Sequence, residues 1–138
     1  MATLETPIEL RDSQSGFAGK SGTIWRVGVD GRYVVRTFVN EKLGPPIRQG
    51  QLDRSALQAI AAAIGALRQQ AFPPRLSSID VVNPRELSVA DGDHRVVLQL
   101  APPDPADPDA VEGLDPRQRE FLRLFRGIRD LISTRTSA

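Results

Sequence analysis

The chain contains no cysteine and only one histidine, His94, in 138 residues. The first absence removes a disulfide framework, a thiol nucleophile, zinc ribbons and iron–sulfur clusters from consideration. The second removes a multi-histidine metal site and catalysis by a histidine pair. Aromatic residues make up only 5% of the chain. No stretch approaches the roughly 18 apolar residues that a membrane span needs. A surplus of one charge is missing too: 18 Lys and Arg against 17 Asp and Glu leave a net charge of +1. Nothing in that balance calls for nucleic acid or a membrane surface as partner. The opening Met-Ala-Thr-Leu-Glu-Thr-Pro has neither the basic start nor the apolar run of a secretory signal. A cytoplasmic protein without a cofactor is the expectation.

What is present suits one domain, because a chain of this length buries roughly two-thirds of the surface its unfolded form exposes. Residues 1–7 read as a loose leader, 8–132 as the domain and 133–138 as a polar tail. A short strand starts at Ile8–Arg11, and the Gly/Ser-rich Ser13–Gly22 reads as a loop. Thr23–Val39 is the strongest β signal. Asp30-Gly31 suits a two-residue hairpin turn, which sets Trp25 opposite Arg36 and Val27 opposite Val34. That register predicts a core face of Trp25, Val27, Val34 and Phe38, with the Arg36 guanidinium over the indole. Residues 40–51, with Pro45-Pro46, read as a connection with a short extended piece at Ile47–Gln51.

Asp53 is a natural cap for a helix whose Leu57, Ile60, Ile64 and Leu67 fall on one stripe. Its back shows Ser55, Ala59, Ala62 and Ala66 in place of charges. That suits either plain helix formers or a surface for a second helix, including that of a homodimer partner. Leu87 and Val89 face Val96 and Leu98 in a second hairpin around Ala90–His94. Residues 101–113 carry four prolines and four acids and read as an extended linker. Asp115-Pro116 then caps a helix with an apolar stripe from Phe121 to Ile132. The order implies an α+β fold: a small antiparallel sheet of about four to six strands packed against two helices.

Three segments hint at chemistry. Gly16-Phe-Ala-Gly-Lys20-Ser21 resembles a phosphate loop, but its first glycine would have to stand at Gln14, and it leads into a strand rather than a helix. A calcium loop opening at Asp91 would need a glutamate where Pro102 stands. No serine is positioned to use His94 as a base, so no catalytic set emerges and the chain is not expected to be an enzyme.

Ile8-Glu-Leu-Arg-Asp-Ser-Gln-Ser-Gly-Phe-Ala-Gly19 resembles the opening of the emfourin-like family. There a short strand runs into Gly-Gly-Phe-Ala-Gly and a second strand carries the core residue taken here by Trp25. Arg48-Gln-Gly-Gln-Leu52 before the helix, a following β region and a terminal helix continue the likeness over residues 8–132. Ser15 stands where the family has its first glycine. The resemblance implies a proteinaceous inhibitor or binder of a thermolysin-like zinc metallopeptidase. Its contact residues would come from Ser15, Gly16, Phe17, Ala18, Gly19 and Lys20 and from the turn with Asp91, Asp93 and His94. Phe17 suits either core or an interface anchor. The other reading is a non-catalytic interaction module that self-associates or docks through helix surfaces.

Overall fold

Strand alternation and two capped helices set the architecture. The computed structural model of the chain describes residues 4–16, 19–77, 84–100, 106, 114–134 and 136–137. In order they form β1 (Ile8–Gly16), β2 (Gly19–Val27), β3 (Arg32–Val39), β4 (Lys42–Leu52), α1 (Arg54–Gln70), β5 (Arg75–Ser77), β6 (Arg85–Asp91), β7 (His94–Leu100), α2 (Pro116–Thr134) and β8 (Thr136–Ser137). One sheet holds the strands in the order β5-β7-β6-β1-β2-β3-β4-β8. The fold is α+β, as the sequence implies. The sheet exceeds four to six strands, since seven strands have three or more residues and β8 adds two. It is also mixed: β5 runs parallel to β7, with Leu76 beside Leu98.

Register decides which side of the sheet each residue takes. Ile8 and Leu10 stand opposite Val27 and Trp25 on one flank, and Leu10 stands opposite Val89 on the other. Leu87 and Val89 face Leu98 and Val96, as expected. These side chains form one core with Ile60, Ile64 and Leu67 of α1 and Phe121, Phe125, Ile128 and Ile132 of α2. Trp25 meets Phe125 edge to face at 6.3 Å, and Phe72 meets Phe121 at 5.8 Å. Leu4 is buried in this core and Thr6 bonds Asp91, so residues 4–7 pack against the body instead of trailing from it.

Both helix starts carry the expected caps. Asp53 Oδ1 accepts from the Ala56 amide at 2.7 Å. Asp115 accepts from the Gln118 amide at 2.8 Å while Gln118 Oε1 accepts from the Asp115 amide at 2.9 Å, a reciprocal box. α1 ends at Ala71 in the left-handed region. The carbonyls of Gln70 and Ala71 accept from Arg117, so the first turn of α2 closes the end of α1.

Three local readings change. The β2–β3 turn is a three-residue loop: the Gly28 amide donates to the Arg32 carbonyl at 2.8 Å, and Gly31 takes φ 88°. Trp25 therefore pairs with Val35 and Val27 with Tyr33, not with Arg36 and Val34. The one-residue slip turns Tyr33 and Val35 into the core and sends Val34, Arg36 and Phe38 to the other side. Arg36 donates to the Gly44 carbonyl at 3.0 Å instead of covering Trp25. Ser13–Gly22 is no loop: β1 and β2 stay paired as far as Gly16 and Gly19. Residues 42–52 are a strand, entered through Asn40 and Glu41 at φ 51° and 70°. Of the linker at 101–113 only Ala106 is among the described residues. In the tail, Thr136 and Ser137 pair with Leu52 and Gln51.

Candidate functional site

The two groups of contact residues expected from the sequence stand far apart. Ser15, Gly16, Gly19 and Lys20 close the β1–β2 hairpin, with Ser15 paired to Lys20 and Gly16 to Gly19. Phe17 and Ala18 lie outside the described residues. Asp91 and His94 pair beside Ile8, at the other end of β1. Eight residue steps at about 3.3 Å separate the groups by about 26 Å, so they do not form one patch. Asp93 and His94 are exposed, whereas Asp91 is buried. Its oxygens accept from Thr6 Oγ1 and Arg68 Nε, each at 2.5 Å. A carboxylate held this way stays with the scaffold and does not reach outward.

The strand ends of the hairpin are tied to a neighbouring turn. The Asn40 amide donates to the Lys20 carbonyl at 2.8 Å, which ties the β3–β4 turn to the hairpin. Gly19 has φ 97°, and a Cβ there would fall 1.8 Å from Asn40 Oδ1. Only glycine fits that position.

The side of the sheet away from the helices holds a second constellation that the sequence reading missed. Glu9 Oε2 accepts from Arg26 Nε at 2.9 Å, and Glu9 Oε1 lies 3.1 Å from Arg11 and 3.8 Å from Arg95. Glu86 Oε1 lies 2.8 Å from Lys20 Nζ, and its other oxygen lies 3.8 Å from Arg75. Five cations thus surround two carboxylates. Burial acts to raise both carboxyl groups. The hydrogen bonds from Arg26 and Arg11 to Glu9, and from Lys20 and Gln99 to Glu86, outweigh it and hold both below the usual carboxylate range.

Two cavities open on this side. One of about 410 Å³ lies near the β2–β3 and β6–β7 turns and is lined by Arg26, Arg32, Val34 and Arg95 among others. The other, of about 200 Å³, lies between Arg11, Arg75, Glu86 and Arg95. Arg95 borders both. Glu9 and Arg11 share a side already in the expected strand Ile8–Arg11, but Ser13 and Lys20 join them only because β1 and β2 run on through the supposed loop. The alternation Ile8-Glu-Leu-Arg11 stops at Asp12, so nothing in the pattern signals that the strand continues.

Among the described residues no cluster of His, Asp and Glu could hold a metal ion, and no helix is long and apolar enough to cross a membrane. Ala59 and Ala62 on the back of α1 are exposed, while Ala66 packs against the core. No known protein-family model matches the chain, and no curated protein matches it.

Proposed function

We propose that the protein is a non-catalytic inhibitor or binder of a thermolysin-like zinc metallopeptidase and that it presents the β1–β2 hairpin end to its target. One observation carries this reading. The segment that resembles the emfourin-like family, Ser15-Gly-Phe-Ala-Gly19, joins two strands that stay paired to their last residues and are braced by the Asn40 turn. Strand ends held in this way lose little conformational freedom on binding, which is how a small scaffold achieves tight association. Asp93 and His94 offer a second, distant contact to a partner broad enough to span the sheet.

Ser15→Glu and Phe17→Glu test the assignment. Each is expected to weaken inhibition at least ten-fold per folded molecule, with thermal unfolding used to measure the folded fraction. Full inhibition by both variants would remove the hairpin from the interface. The exposed Ala59 and Ala62 favour a second reading, an assembly module or homodimer joined through α1. Ala62→Glu should then break self-association in sedimentation and leave the hairpin's effect on peptidase intact.

A further inference from the structure

We propose that the smaller cavity on the helix-free side of the sheet binds a compact tetrahedral oxodianion, either inorganic phosphate or a phosphate monoester with a small body. This site is separate from the hairpin end and does not rest on the inhibitor reading.

Charge is the first argument. The cavity is lined by Arg11, Lys20, Arg75 and Arg95 and by Glu86, and Glu9 beside it lies 3.1 Å from Arg11 and 3.8 Å from Arg95, so four cations face two carboxylates. Glu86 is already satisfied by Lys20 at 2.8 Å and by the Gln99 amide at 3.2 Å, so it neutralises only part of the surrounding charge. Cations gathered in a concavity that also has Phe38 and Val97 in its lining concentrate positive potential where an anion would sit. The chain as a whole has a net charge of only +1, so this concentration is local.

Unused donors are the second argument. Arg11 Nε is buried and has no hydrogen-bond partner among the described residues, while the same guanidinium lies 5.3 Å from the Phe38 ring centroid. A buried donor without an acceptor is costly. Turning the Arg11 fork toward a bound oxoanion would supply that acceptor. Ser13 and Ser88 also line the cavity although each is only 5% exposed. A serine hydroxyl is a neutral donor, and both residues stand beside the cations in the cavity lining. Donors arriving from β1, β5, β6 and β7 surround a ligand from several directions. That suits a tetrahedral group with three or more oxygens better than a planar carboxylate.

Size is the third. A volume of about 200 Å³ falls below the ~300–1,000 Å³ typical of drug-sized sites and suits phosphate or a short monoester better than a nucleotide.

The test is a titration of the full chain, followed through backbone amide resonances at constant ionic strength, with inorganic phosphate, phenyl phosphate and acetate. Phosphate is expected to produce saturable shifts centred on Arg11, Ser13, Ser88 and Arg95, and acetate none. Arg75→Gln alters a side chain that is 59% exposed, so the fold should persist. It and Ser88→Ala should each weaken phosphate at least five-fold, while Arg123→Gln on α2 should not. If Ser88→Ala fails to fold, Arg75→Gln carries the comparison. Tighter binding of phenyl phosphate would support a monoester held over Phe38, and tighter binding of inorganic phosphate would support the free ion. Equal responses to acetate and phosphate, shifts centred on α2, or an unchanged affinity in Arg75→Gln would overturn the proposal.

Discussion

Arg68 in the last turn of α1 donates its Nε to Asp91 Oδ2 at 2.5 Å, and Thr6 donates to the other oxygen of the same carboxylate. One side chain thus ties the N-terminal segment, the end of β6 and the first helix together. Replacing Asp91 by Ala should lower stability by about 2 kcal/mol, the scale for losing hydrogen bonds to a charged group. Denaturant unfolding measures this. Inhibition per folded molecule should stay unchanged, because Asp91 faces the scaffold; a loss of inhibition without a loss of stability would make it a contact residue.

Phe125 is fully buried and holds the Trp25 ring edge to face. Phe125→Ala should cost about 3–5 kcal/mol, combining lost transfer energy with the cavity left behind. Thermal and urea unfolding should agree on that figure. A cost below about 1 kcal/mol would mean that α2 does not pack on the sheet through this residue.

The helices were legible because their signals are local. Asp53 and Asp115 cap where the sequence puts them, and the Phe121–Ile132 stripe repeats at helical spacing over several turns. The β2–β3 register was not legible, for a specific reason. Asp30-Gly31 fits both a two-residue turn and the end of a three-residue loop, since each needs a positive φ at the glycine. Tyr33-Val35 and Val34-Phe38 are both apolar sets, so alternation alone does not say which one faces Trp25. Only packing against the helices separates them. The charged side of the sheet stayed hidden for a related reason: glycines and serines in Ser13–Gly22 look like loop composition, yet they sit in a ladder.

Gly22 shows why that composition misleads. A Cβ at this position would lie 1.9 Å from the Asp12 carbonyl oxygen, so β1 and β2 approach closely there. Gly→Ala at a compatible site is normally neutral or stabilising. Gly22→Ala should instead destabilise by about 2–3 kcal/mol as the strands are forced apart. Hydrogen exchange should localise the damage to the Asp12–Thr23 region of the β1–β2 ladder, and unaltered protection there would contradict the close approach.

Acid should loosen the charged side of the sheet first. Glu9 and Glu86 ionise below the ordinary value of 4.5 in the folded chain, because their hydrogen bonds to basic and amide groups outweigh burial. A depressed folded value adds stability above the unfolded value, and that stability is lost as pH falls through the folded one. The melting temperature should hold level from neutral pH to about pH 5 and decline below it. Glu9→Gln combined with Glu86→Gln should flatten part of that decline. An identical acid slope in the double variant would mean that these carboxylates do not carry it.

Inhibition itself is open to a single titration. Purified chain is added to a fixed concentration of a thermolysin-like peptidase, with and without preincubation, and residual cleavage of a peptide substrate is followed. A stoichiometric fall to near-complete inhibition is expected, weakened at least ten-fold by Ser15→Glu and by Phe17→Glu. Undiminished cleavage at a large molar excess over several such peptidases would contradict it.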